Sequence, residues 1–335
     1  MESITAGIDL GTTSVKISIV KCDLTVIQEL SSPHNATLTN PNPKQHEQNP
    51  MKICNTVMEL LEKCNLSQID QIVVTGQMHG VVLWEHKSVM DFVYGVSQGV
   101  NCSNLITWMD QSTLPKWLKK TGEEESKIST GYGLATLAWL QAHNQLNESW
   151  DRAGTIMDFF ISLISKNKDS FISDQNAYSW GYVENGQWTI ADKHETWPVK
   201  LLPKIVTPFQ NTFHASIELF GVSKETKIFV GLGDLQASIL PFIQPGEAVI
   251  NFGTSAQMVF PLSKDVLHGD LAKEFPHLLR VPFFDEKLLV VAASLNGGNA
   301  LECFLKQIQL WAVQISNQQL NKVFNFWRSS RIVNR

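Results

Sequence analysis

The chain has 335 residues, 43 % of them hydrophobic and 18 % charged, which supplies core for about two globular domains and excludes a low-complexity or disordered protein. Its 27 basic residues stand against 32 acidic ones, a net charge of −5 without a basic stripe, which argues against nucleic acid as a partner. Five cysteines without a Cys-x-x-Cys pair point to reduced thiols in the cytoplasm rather than to disulfides or zinc; the N-terminus shows no basic patch followed by an apolar run, so no secretory signal is apparent, and the longest apolar stretch, 288–295, is too short to span a membrane.

The hydrophobic pattern predicts strands at residues 4–8, 15–20 and 26–30, the first two joined by the tight turn Asp9-Leu10-Gly11-Thr12-Thr13-Ser14. Pro33, Pro41, Pro43 and Pro50 mark residues 31–50 as a surface loop. Ile53, Val57, Leu60 and Leu61 have the spacing of an amphipathic helix over 51–64. A β-branched strand at 69–75 follows, then Gly76-Gln77-Met78-His79-Gly80 and a strand at 81–84. The tryptophan-rich middle section, 105–200, carries its clearest helices at 136–143 and 156–165. Residues 173–182 are polar and aromatic without helical periodicity and read as loop or edge structure. Near Lys227 a second set begins: a strand at 227–231, a helix at 234–239, strands at 248–252 and 256–260 around Gly253-Thr254-Ser255, a strand at 288–293 and a helix from Asn299. Alternating strands and helices indicate an α/β core.

Two turns have the chemistry of an anion site. Glycine lets backbone N–H groups approach an anion, and threonine hydroxyls add donors. At the first turn, Asp9 can hold a magnesium ion directly or through water. An ordinary polar hairpin, with Asp9 bonding its own backbone, fits the same residues. The Gly253-Thr254-Ser255 turn weakly repeats the first, and two such hairpins facing each other would form a cleft. Asp234 follows a strand beside Gly233, as a catalytic base or as the cap of the helix that starts there.

Five motifs together carry a resemblance: the Asp9 hairpin, Gly76-Gln77-Met78-His79-Gly80, Trp108-Met109-Asp110, Gly233-Asp234-Leu235-Gln236-Ala237 and Phe252-Gly253-Thr254-Ser255. In this order they resemble the FGGY carbohydrate kinases, within the wider actin, hexokinase and heat-shock ATPase architecture. Gly-Gln-Met-His-Gly resembles ketose kinases of the xylulokinase type, and residues 76–82, 173–182 and 292–299 look closest to the sedoheptulokinase branch. The resemblance covers nearly the whole chain to about residue 305. It implies an α/β, two-domain actin/hexokinase-like (ribonuclease H-like) fold, with 1–222 as the sugar and phosphate side. Residues 223–335 would then be an incomplete second domain that lacks the adenosine-binding segment.

The implied reaction is transfer of the ATP γ-phosphoryl group to a primary hydroxyl of a ketose, sedoheptulose first among them. By resemblance Asp234 is the general base and Asp9 orients Mg²⁺. Gly11, Thr12 and Thr13 hold the ATP phosphates from one side, and Gly253, Thr254 and Ser255 from the other. Gln77, Met78, His79, Asp110 and Gln175 line the sugar, with Asp174 and Asn176 as further candidates. Asp9 and Asp234 are expected to face one another from opposite domains. Two departures stand out. Gln111 and Ser112 occupy places where family members carry a basic residue, and the residues from about 314 onward do not resemble the family, which continues further. The chain is therefore expected to be a fragment, a splice form or an early-terminated product. The alternative to a kinase is a catalytically impaired relative that binds sugar or acts as a regulator.

Overall fold

The computed structural model describes residues 3–64, 68–112, 128–165, 167–190, 197–210, 212–215, 218, 221–244, 246–252, 256–263, 275, 278–294 and 297–317. Contacts divide the chain into two units, Met1–Pro241 with Val281–Phe284, and Phe242–Arg280 with Asp285–Arg335.

The first unit is built on a mixed sheet that starts as a meander. β1 (Ile4–Leu10) pairs antiparallel with β2 (Ser14–Lys21), Gly7 opposite Ser18, and β2 pairs antiparallel with β3 (Val26–Pro33). Alternation buries Ala6, Ile8 and Leu10 from β1 and Val15, Ile17 and Ile19 from β2. α1 (Pro50–Glu62) lays Ile53, Val57, Leu60 and Leu61 into the same core. It starts where Asn49 accepts from the Lys52 N–H, with Pro50 in the first turn, where its missing N–H costs nothing. The chain then returns through β4 (Ile69–Gly76), parallel to β1 with Ile8 beside Val74 and Leu10 beside Gly76.

After β4 come β5 (Val82–Trp84), α2 (His86–Val93), α3 (Gly133–Ala142), β6 (Arg152–Gly154), which pairs with β5, and α4 (Ile156–Ile164). α4 opens with a capping box: Thr155 accepts from the Asp158 N–H and the Asp158 carboxylate accepts from the Thr155 N–H. Its Met157, Phe159 and Phe160 are fully buried in the core that contains Ile72 and Val74. β7 (Phe171–Ser173) leads into α5 (Asp174–Trp180) and pairs with β8 (Lys204–Val206). β9 (Thr212–His214) and β10 (Val222–Phe229) complete the sheet, whose order is β9-β10-β4-β1-β2-β3. β10 runs parallel to β4, and the short β11 (Leu232–Gly233) continues alongside β4 with Gly233 beside Gly76. α6 (Asp234–Ile239) starts at the next residue.

Three expectations change. Residues 173–182 contain α5: the Ser173 hydroxyl accepts from the Asn176 N–H, and Gly181 ends the helix at φ 92. Two turns are too short to show a hydrophobic period. The stretch 31–50 is not all loop, since β3 runs to Pro33 and Glu47–Gln48 pairs with Leu105–Ile106. The contacts break after Pro241 rather than at 222/223, because β10 and β11 hydrogen-bond to β4 and hold Asp234 in the first unit.

A four-stranded sheet has the order β12 (Val249–Phe252), β13 (Ala256–Ser263), β15 (Lys287–Ser294) and β14 (Leu279–Pro282), its residues assigned to the second unit except Val281 and Pro282. β13 pairs antiparallel with both β12 and β15. α7 (Gly298–Asn317) follows, with Leu301, Phe304, Leu305 and Trp311 exposed. Gly253, Thr254 and Ser255 lie outside the described residues. Among the described residues no helix is long and apolar enough to cross a membrane.

Candidate active site

Three strand ends meet in one row. Leu10 of β1 and Gly233 of β11 both lie beside Gly76 of β4. Gly76 is required there: a Cβ would sit 2.6 Å from the Leu10 carbonyl oxygen and 2.8 Å from its Cβ. The residues leaving these ends carry most of the sequence-predicted chemistry, namely Asp9 with Gly11–Thr13, Gln77 to His79, and Asp234. Asp9 and Asp234 therefore share one unit, not opposite domains. Two ladder spacings of ~4.8 Å separate their strands.

At the first strand end the Gly11 N–H donates to the Ser14 carbonyl at 3.1 Å, closing the turn. Thr12 and Thr13 form its tip, with Thr13 exposed. Asp9 is ion-paired with Lys16 at 3.4 Å. Burial raises the Asp9 carboxyl above its ordinary range, and the Lys16 ammonium works against that shift.

Asp234 opens α6 and accepts from the Leu235 N–H at 2.7 Å. Its side chain is reached by solvent yet ringed by protein. That crowding pushes its pKa up to about 6, with the negative charge of Asp9 adding to the rise. The two carboxylates thus sense each other. An accessible carboxylate with a raised pKa suits a proton acceptor.

The Gly76–Gly80 segment runs past Asp234. The Met78 sulfur would lie 2.6 Å from a Cβ built on Gly233, so the sugar motif and the Asp234 motif touch. His79 adopts φ 75, a left-handed conformation that is strained for a residue with a Cβ. Its carbonyl accepts from the Gly133 N–H at 2.8 Å, and its ring stacks on Tyr132 at 4.1 Å between centroids. Burial lowers its pKa to about 4, so the imidazole is neutral at physiological pH, with one nitrogen able to accept. Gln175 is fully buried and accepts from the Gly233 N–H at 3.4 Å. Asn176 donates to the Gly231 carbonyl at 3.0 Å.

Around this point five buried side-chain atoms have no partner among the described residues: Gln77 Oε1, His79 Nδ1, Gln175 Nε2, Asn176 Oδ1 and Gln236 Oε1. Buried polar groups are normally satisfied by protein, water or ligand. This set mixes donors and acceptors, as hydroxyl groups do, and includes no cation for a carboxylate ligand. Asp110 is differently employed. Its oxygens accept from the His46 N–H at 2.8 Å and from the Ser112 N–H and hydroxyl at 2.8 and 2.5 Å, which ties two loops together. Gln111 and Ser112 therefore serve local structure. Tyr132, Gln48 and His34 left no mark in the sequence pattern, and the last two bond the turn between β1 and β2. Trp108 donates to the Thr12 hydroxyl at 3.4 Å.

Magnesium ordinarily takes one or two protein carboxylates and completes its shell with water and substrate phosphate. Asp9, beside the turn, fits that use, and among the described residues no cluster of three or more ligating side chains occurs.

Comparison with known proteins identifies the family and the fold. Residues 4–241 match the model of the FGGY family of carbohydrate kinases, N-terminal domain. A human sedoheptulokinase is 32 % identical over 93 % of this chain and 70 % of its own length, and the mouse sedoheptulokinase 30 % over the same shares. Among solved structures, a xylulose kinase from Rhodospirillum rubrum superposes with a TM-score of 0.75 at 19 % identity, over 96 % of this chain and 66 % of that one. A ligand-bound xylulose kinase from Lactobacillus acidophilus gives 0.69 at 18 % identity, over 88 % and 61 %. The chain spans less than two thirds of these solved structures. The likeness establishes the α/β, actin/hexokinase-like fold expected from the sequence.

Proposed function

Since the chain belongs to the FGGY family of carbohydrate kinases, we propose that it transfers the γ-phosphoryl group of ATP to a primary hydroxyl of a ketose, with sedoheptulose as the substrate and sedoheptulose 7-phosphate as the product. The observation that carries this reading is the placing of Asp9 and Asp234 at strand ends on either side of β4, with an anion-type turn beside one and, beside the other, buried donors and acceptors that lack partners among the described residues.

Phosphoryl transfer needs positioning and charge stabilisation more than covalent work by the protein. The ketose lies against Gln77, Met78, His79 and Gln175, its hydroxyls completing the bonds those groups lack. Thr12 and Thr13 hold the phosphates through N–H and hydroxyl donors, and Gly11, whose own N–H closes the turn, lets the backbone approach them. Gly253, Thr254 and Ser255 are proposed as the second phosphate grip on motif grounds alone. As the hydroxyl oxygen bonds to phosphorus, its proton passes to Asp234 and the bond to the ADP oxygen breaks. Magnesium bound with the nucleotide offsets phosphate charge, and Asp9 is the residue to hold it, directly or through water. The preference for sedoheptulose rests on likeness to the human and mouse sedoheptulokinases.

The test is ADP release by the purified chain with ATP, Mg²⁺ and sedoheptulose, with xylulose run in parallel. Asp234→Ala should abolish it. Equal turnover by wild type and variant would remove Asp234 from the chemistry. Sugar binding without ADP release would assign the chain a binding role instead.

A further inference from the structure

The phosphate turn is held from behind by a ledge that nothing in the motif announces. Residues 34–38 lie against 47–49, with the Asn49 N–H donating to the Ala36 carbonyl at 2.8 Å and the Leu38 N–H to the Glu47 carbonyl at 2.9 Å. From this ledge two buried side chains reach the turn. Gln48, 2 % exposed, donates through Nε2 to the Thr12 carbonyl at 2.8 Å. His34, 5 % exposed, has its Nε2 3.3 Å from the Gly11 carbonyl. Its Nδ1 accepts from the Ala36 N–H at 3.1 Å, which fixes the tautomer with hydrogen on Nε2 and makes that nitrogen the donor.

Peptide planarity converts these two bonds into a statement about the other side of the turn. In a trans peptide the carbonyl of one residue and the N–H of the next point in opposite directions. Drawing the Gly11 and Thr12 carbonyls back onto the ledge therefore aims the Thr12 and Thr13 N–H groups away from it. Neither N–H has an acceptor among the described residues.

Gln48 is itself oriented. Its Oε1 accepts from Gln77 Nε2 at 2.9 Å, so its amide cannot flip without losing both bonds. Gln77 belongs to the segment proposed to line the sugar, and its own Oε1 is buried and unpartnered. One buried chain thus runs from the sugar segment, through Gln77 and Gln48, to the Thr12 carbonyl.

We propose that Gln48 is a positioning residue that presents the Thr13 amide to the nucleotide phosphates, its own amide set by Gln77, while His34 holds the neighbouring Gly11 peptide. This inference rests on the kinase reading and adds to it a residue outside the five motifs that carry the resemblance. Gln48→Glu separates the two ends of the relay, because a carboxylate still accepts from Gln77 but cannot donate to Thr12. Gln48→Met removes both bonds without burying a charge, in case the Glu variant fails to fold.

The experiment is calorimetric titration of the full chain with Mg²⁺ and a non-hydrolysable ATP analogue, and separately with sedoheptulose, alongside a thermal melt. Loss of one amide-aligning hydrogen bond should weaken nucleotide binding about tenfold. In Gln48→Glu the ketose affinity should stay within about twofold of wild type, a split that a general structural role would not produce. Unchanged nucleotide affinity in both variants, or equal loss of both ligands with a lowered melting midpoint, overturns the proposal while leaving the kinase reading intact. A wild-type chain that binds neither ligand overturns the kinase reading, and this one with it.

Discussion

Asp158 should make the protein less stable as the pH rises through the neutral range. Its carboxyl is 4 % exposed, and Oδ2 accepts from the Thr155 N–H and hydroxyl, both at 2.8 Å. Oδ1 is buried without a protein partner beside a small cavity that Ser165, Phe171 and Phe213 also line. Burial pushes the pKa from 3.8 up to about 7, against the lowering effect of the Thr155 bonds. Below pH 3.8 folded and unfolded chains both hold the proton and nothing is lost. Between there and about pH 7 the unfolded chain has released a proton that the folded one keeps, so stability falls by ~1.4 kcal/mol per pH unit. Above about 7 both are ionised and the loss is constant. From pH 5 to pH 8 about two such units are crossed, on the order of 3 kcal/mol. Asp158→Asn stays neutral and retains an acceptor for the cap. Urea unfolding of both proteins across this range should show the variant gaining on wild type by that amount. Asp9 and Asp234, also raised, occur in both proteins and cancel in the difference. A wild-type-to-variant gap that does not change with pH would refute the buried, proton-holding state.

Asp234 should set an acid limb in catalysis. With a pKa of about 6 in the free protein, kcat/KM for the ketose should fall about tenfold between neutral pH and pH 5; a profile flat to pH 4.5 would contradict that state. Tyr132→Leu should free the His79 ring that it stacks against and raise KM for the ketose about tenfold with a smaller change in kcat. An unchanged KM would show that the stacking does not position His79.

Much of this was legible in the sequence because local patterns carried it. The β1–β2 hairpin follows from alternation on both sides of a glycine turn, and α1 from its Ile53, Val57, Leu60 and Leu61 stripe behind an Asn-Pro start. α5 escaped because seven residues make too little helix for a period, leaving only the Ser173 cap and Gly181 as signals. The misplaced domain boundary has a different origin. β10 and β11 belong to the first unit through parallel pairing with β4, reinforced by Thr226 Oγ1 donating to the Ile69 carbonyl and Thr75 Oγ1 to the Leu232 carbonyl, each across 157 residues. Pairing at that separation leaves no mark on either segment alone. Gln48 was hidden in the same way, since the helix-start signal beside it says nothing about where a neighbouring amide points.

The same long-range pairing explains why the chemistry collects where it does. In α/β sheets ligands bind beyond the carboxyl ends of the parallel strands, where the chain turns away and loops can converge. Here β1, β4 and β11 end level, because Leu10, Gly76 and Gly233 share one row and Gly76 alone allows the backbones to approach that closely. On the proposed reading each strand delivers one part: the phosphate turn from β1, the sugar segment from β4 and the base from β11. The register is therefore a functional quantity. A one-residue slip of β11 against β4 would turn its side chains to the other face of the sheet, swing Asp234 away from Asp9 and withdraw Gly233 from Met78. The arrangement depends on the far strand holding its row against β4, and the residues that hold it, Thr75, Gly76 and Gly233, are accordingly as much part of the site as the carboxylates they align.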